Sequence, residues 1–115
     1  MRGAIHFMEL SPRSGSEQSG RRPGIIVSHD SFTTKPGWQS ITVVPLTSSD
    51  RWQKPSPTTV QFALGEAGLP KACSALAHQL TTLDKSKVIG PALGHVPAAR
   101  MAELERALAH YLQLS

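Results

Sequence analysis

Two short polar stretches hold the side chains best suited to chemistry. The first, between residues 11 and 22, carries Arg13, Glu17, Gln18, Arg21 and Arg22; the second is Thr47-Ser48-Ser49. A guanidinium grips a phosphate through two parallel N–H donors, and a neighbouring hydroxyl adds a third. Such a set binds a phosphodiester. It can also stabilise the extra negative charge that builds when a ribose 2′-hydroxyl attacks the adjacent phosphorus. The same residues have a plainer reading, with Arg21 and Arg22 as loop charges and Thr47 as a strand-end hydroxyl. Spacing alone favours that plainer reading.

Other chemistries find less support. His6, His29, His78, His95 and His110 are scattered without the local pairing of metal-ligand motifs, and Cys73 has no second cysteine. The expectation is therefore no metal and no cofactor. There is no Gly-x-Ser-x-Gly elbow and no Walker loop, and Gly15, Gly20 and Gly24 have the wrong spacing for a dinucleotide fingerprint. Glu103 and Glu105 lie two apart on a predicted helix, so they face different sides and read as solvated charges.

The frame that must position these groups is small. The chain has 115 residues, 39% of them hydrophobic and 17% charged, which suits one core and one domain over residues 1–115. No apolar run approaches the ~18–20 residues of a membrane span, and the start lacks the apolar stretch of a secretory signal. One cysteine cannot form an internal disulfide, which agrees with a reducing cytoplasm. The net charge of +4 permits a nucleic-acid partner without demanding one. Aromatics at 5% leave no broad stacking platform.

Hydrophobic patterning predicts short strands and one terminal helix. Ile5–Leu10 is extended and ends at Ser11-Pro12; residues 11–22 read as a polar loop, with Arg22 pushed towards extended geometry by Pro23. Gly24–Val27 and Ile41–Leu46 are β-rich runs separated by a loop over 28–37, and Trp52–Pro57 is a linker. Further strands are expected at Thr58–Leu64, Ser74–Leu83 and Lys87–Ile89. Pro97 suits a first helical position. Met101, Leu104, Leu108, Tyr111 and Leu112 then follow at helical spacing. Met101, Leu104, Leu108 and Leu112 should cover the barrel, with part of the stripe in an interface as the alternative. The fold class is mainly β, a small antiparallel barrel with a C-terminal helix.

Taken in order, these segments resemble the MazF/PemK family of bacterial toxins. Arg2-Gly3-x-Ile5, Ser11-Pro12 and Gly15-Ser16-Glu17-Gln18-x-Gly20-x-Arg22-Pro23 look like its first strand, loop and second strand. Ile25–Ser28, Val43-Val44-Pro45-Leu46-Thr47-Ser48, Ser74–Gln79 and Leu83-Asp84-Lys85 continue the match over nearly the whole chain. The resemblance implies an SH3-like (CcdB/PemK-like) barrel, a homodimer, and a type II toxin cutting single-stranded RNA at specific sequences without a metal. It also implies a cognate antitoxin, and a toxin–antitoxin complex able to bind DNA. By similarity Arg22 is the catalytic arginine, Thr47 the hydroxyl at the scissile phosphate, and Glu17 an assistant from the first loop. Ser16, Gln18, Arg21, His29, Ser48, Arg51, Trp52, Lys54 and Gln79 are RNA-binding candidates.

Departures from the family pattern define further expectations. His78 stands where the family often has Asp, and its ordinary pKa near 6.5 suits either a base or a hydrogen-bonding partner. Leu76 replaces an arginine of some relatives, and Lys87 keeps charge where relatives carry Arg. Trp38 is expected in the core or the dimer interface, Trp52 on RNA. Two alternatives share the fold: a CcdB-like toxin that binds a protein, and a member that binds RNA or antitoxin without cutting. The first has no need of the Arg22/Thr47 pair.

Overall fold

In a computed structural model of the chain, residues 1–11, 15 and 20–114 are described. Among them run β1 (Ala4–Glu9), β2 (Arg21–Ile26), α1 (Asp30–Thr33), β3 (Ser40–Thr47), β4 (Thr59–Phe62), β5 (Cys73–Leu76), β6 (Thr81–Asp84), β7 (Val88–His95) and α2 (Ala98–Leu112). All pairings are antiparallel, in the order β4-β5-β3-β2-β1-β7, with β6 also on β3.

The strand β3 organises this sheet. One edge pairs with β2 through Val43–Pro45; the other pairs with β6 through Ser40–Val43 and with β5 through Leu46-Thr47. The segment expected as one strand from Ser74 to Leu83 is therefore two strands, broken by a 3₁₀ turn at Ala77–Gln79. That break lets the chain leave the β4–β5 side and rejoin β3 further down.

Both faces of the central strands are covered, which explains their unbroken apolar runs. Ile5, Ile25, Val44, Leu46, Val60 and Phe62 form one core with Leu104 and Ala107 of α2. Ala4, Met8, Ile26, Ile41, Val43 and Leu83 form a second cluster on the other face. The helix begins at Ala98, with Pro97 as its extended N-cap, one residue later than its expected place in the first turn. Leu104 is fully buried, whereas Tyr111 and Leu112 remain exposed, so the stripe covers the sheet only through its first three turns.

Close backbone approach requires two glycines. A Cβ on Gly94 of β7 would collide with the Ala67 carbonyl, and one on Gly68 with the Leu93 carbonyl. Arg100 secures the same turn from α2, with Nε donating to Glu66 at 2.8 Å and Nη1 to Glu103 at 2.9 Å. No helix among the described residues is long and apolar enough to cross a membrane.

Candidate active site

Arg21 and Arg22 belong to β2, not to the loop in which they were expected. They pair with Glu9 and Met8, and Leu10 N–H donates to the Gly20 carbonyl at 2.9 Å, so β1 extends the ladder up to the end of the polar stretch. Gly24 lets this corner close, because a Cβ there would stand 2.7 Å from the buried Met8 sulfur. Both arginines are exposed.

Gly24 lies opposite Pro45 in the last step of the β2–β3 ladder, and continuing that register by two residues on each strand sets Arg22 at the position opposite Thr47. Thr47 in turn pairs with Ser74 on β5, and Ser74 with Gln61 on β4. Directly opposed residues share a face. Met8–Arg22 and Thr47–Ser74–Gln61 are therefore two cross-strand rows, which the continued β2–β3 register brings into line. Thr47 is only 3% exposed. Its Oγ1 accepts from Ser49 N–H at 3.2 Å, which leaves the hydroxyl proton available to a phosphate oxygen.

Beside this row, Arg21, Arg22, Ser48 and Lys71 rim a cleft of about 190 Å³ whose floor includes Phe7 and Pro23. Two exposed arginines, a lysine and the Ser48 hydroxyl around one cleft are equipment for a phosphodiester, with Thr47 outside its lining. Lys71 gave no signal in the sequence, since it sits in a turn without any motif.

The expected RNA-binding segment after β3 is a 3₁₀ turn at Asp50–Trp52 followed by irregular chain. The Arg51 guanidinium lies 5.2 Å over the Trp52 ring, and the Trp52 ring meets His78 at 5.0 Å. His78 also meets Tyr111 of α2 edge-on at 6.2 Å. Its Nδ1 is buried and without a hydrogen-bond partner, and burial pushes the imidazole pKa below its ordinary value. His78 is thus a neutral ring in an aromatic sandwich at neutral pH. Lys54 is exposed, and half-buried Gln79 closes the 3₁₀ turn that holds His78.

Other candidates fall elsewhere. His29 lies past the far end of β2 from Arg22, where its Nδ1 accepts from Ser31 N–H at 3.0 Å and caps α1. An antiparallel strand separates the two by its whole length, so they do not meet within one chain. Trp38 is 40% exposed rather than in the core; it packs on Phe32 at 5.2 Å with Lys35 over its ring. Ser16, Glu17 and Gln18 lie outside the described residues. No group of three His, Cys, Asp or Glu side chains gathers among the described residues.

Fold and site together define a small antiparallel β protein with two exposed arginines and a lysine around a cleft at one end of its sheet. The family of PemK-like, MazF-like toxins of type II toxin–antitoxin systems matches residues 1–112. The chain is 36% identical over 116 residues to Endoribonuclease MazF9 of Mycobacterium tuberculosis, covering 98% of this chain and 96% of that protein. Among solved structures, an endoribonuclease in complex with its cognate antitoxin from a mycobacterial species superposes with a TM-score of 0.78 at 26% identity, covering 100% and 96% of the two chains. MazF from Deinococcus radiodurans gives a TM-score of 0.78 at 27% identity, covering 97% and 94%. The chain belongs to the PemK-like, MazF-like toxin family.

Proposed function

We propose that this chain is the toxin of a type II toxin–antitoxin system, an endoribonuclease that cuts single-stranded RNA at specific sequences without a metal. The observation that carries this reading is the placement of Arg22 across from Thr47, in a chain of this family. The 2′-oxygen attacks the adjacent phosphorus as its proton passes to a base, the bond to the 5′-oxygen breaks, and that oxygen takes up a proton. The products are a 2′,3′-cyclic phosphate and a 5′-hydroxyl. Arg22 neutralises the charge gathering on the non-bridging oxygens, and Thr47 donates a hydrogen bond to the same group. Glu17 assists from the β1–β2 connection. DNA lacks the attacking hydroxyl and is not cut.

Arg21, Ser48, Arg51, Trp52, Lys54 and Gln79 contact the RNA around this centre in the same reading, with Ser16, Gln18 and His29 as further contacts. The antitoxin relatives crystallise with supports a cognate antitoxin as partner, with the toxin acting as a homodimer in the bacterial cytoplasm. The toxin–antitoxin complex is the form able to bind DNA.

The test is incubation of the purified protein with a long single-stranded RNA in EDTA, followed by mapping of fragment ends. Cuts at a short motif, bearing cyclic phosphates and lost in Arg22→Ala, are expected. No cleavage, or equal cleavage by Arg22→Ala, would overturn the reading and leave a binding role.

A further inference from the structure

We infer that Ser74 and Gln61 are positioning residues for RNA cleavage, which lock the segment from Ser49 to Lys54 against the Thr47 end of β3. The inference rests on the endoribonuclease reading above. This segment leaves β3 without a strand partner, so its carbonyls need donors from elsewhere. Backbone N–H groups of the 3₁₀ turn serve Ser49 and Asp50, and side chains serve the Trp52 and Lys54 carbonyls. The Ser74 hydroxyl, on a residue with no solvent exposure, donates to the Trp52 carbonyl at 2.6 Å and lies 3.1 Å from Gln61 Oε1. The Gln61 amide donates to the carbonyls of Trp52 at 3.3 Å and Lys54 at 2.9 Å. Gln53 completes the set by donating to the Thr47 carbonyl at 3.1 Å and the Ser49 carbonyl at 3.3 Å.

Three features make this more than ordinary loop packing. Ser74 and Gln61 stand in the same cross-strand row as Thr47, so the anchor and the Thr47 hydroxyl share one face of the sheet. Gln61 uses both ends of its amide, accepting near the Ser74 hydroxyl and donating to two carbonyls, which neither Glu nor a shorter side chain can reproduce. The held segment also displays chemistry suited to a nucleotide next to the scissile one: Arg51 over the face of Trp52, with Trp52 braced on His78. An aromatic face with a guanidinium above it stacks a base and meets a phosphate. Ser74 and Gln61 touch no RNA in this arrangement; they act through Trp52.

The test uses Ser74→Ala and Gln61→Glu in the full chain, with Trp38→Phe as background so that Trp52 is the only indole. Trp52 emission and acrylamide quenching are read without RNA, and kcat and KM on a cleavable RNA oligonucleotide. Both variants should show a more solvent-exposed Trp52. Both should also raise KM about tenfold, the scale of one lost buried hydrogen bond, with a smaller change in kcat. Ser74→Cys, which keeps the size and a weak donor, should recover part of both signals. Gln61 is only half-buried, so Gln61→Glu carries the test if Ser74→Ala fails to fold. Unchanged KM in variants that fold would overturn the positioning role, whether or not Trp52 emission moves. Failure of the wild type to cut RNA would instead overturn the endoribonuclease reading, and the positioning role with it.

Discussion

The β2–β3 register, continued two residues past its last pair Gly24–Pro45, sets Arg22 opposite Thr47, the arginine exposed and the threonine only 3% exposed. Their unequal burial divides their tasks. In the proposed mechanism the exposed guanidinium follows a phosphate whose charge is growing, while the buried hydroxyl stays where Ser49 N–H holds it. Arg22→Ala should lower kcat on RNA by roughly 10²–10³-fold, the effect of removing a donor from a developing oxyanion. Arg22→Lys should recover only part of this, because an ammonium lacks the two-pronged geometry. Thr47→Val keeps shape and removes the hydroxyl, so kcat should fall well beyond what the modest loss of stability accounts for, about 1 kcal/mol from losing the Ser49 N–H bond. Single-turnover cleavage with excess protein separates these effects from RNA binding.

His78 makes stability depend on pH in a defined direction. Its imidazole pKa is lowered by burial, so as pH falls below about 6.5 the unfolded chain takes up a proton that the folded chain refuses. Folded stability should therefore decline on acidification through that region, and His78→Gln should flatten the decline. Urea midpoints between pH 5 and 8 check this. His78→Gln should also reduce cleavage less than Arg22→Ala does.

The Arg100–Glu66 pair works at the other end of the titration range. The Arg100 hydrogen bond is the main cause holding the Glu66 carboxyl below its ordinary value of 4.5, with the Ala63 N–H second. Such a group stabilises the fold above its unfolded pKa and loses that contribution as pH falls through the folded value. Arg100→Met should cost about 1 kcal/mol at pH 7, given the partial exposure of both side chains. The difference from wild type should shrink once pH drops below about 4.5. Denaturation at pH 7 and pH 3 measures both.

Gly94 has no room for a methyl group. Gly94→Ala would drive a Cβ into the Ala67 carbonyl, where backbone must move rather than a side chain. A loss of roughly 3 kcal/mol or more is expected, seen as a lowered thermal midpoint or insoluble protein. Leu104→Ala, in the core beneath α2, should cost about 2–5 kcal/mol by the same measurement.

Much of the frame was readable from local pattern. The runs at Gly24–Ile26 and Ile41–Leu46 are strands because both of their faces are buried, and a doubly covered strand has no polar alternation to hide it. The stripe on α2 was equally plain through Leu108, although its last turn stays exposed. Less was readable where pairing, not composition, decides. Arg21 and Arg22 sit in a polar stretch and look like loop residues, yet β1 supplies the partners that make them strand. The Ala77–Gln79 turn has no breaker residue; it exists because β5 and β6 must both reach one edge of β3.

The sequence by itself determined the residue types at the centre, the extended geometry that Pro23 imposes on Arg22, and the membership that its motifs carry. Tertiary structure alone decided that β1 makes Arg22 a strand residue, that Thr47, Ser74 and Gln61 stand in one row, and that His29 lies past the other end of β2. Those relations depend on strand register, which is set by burial on both faces of residues far apart in the chain. No spacing along the chain encodes them.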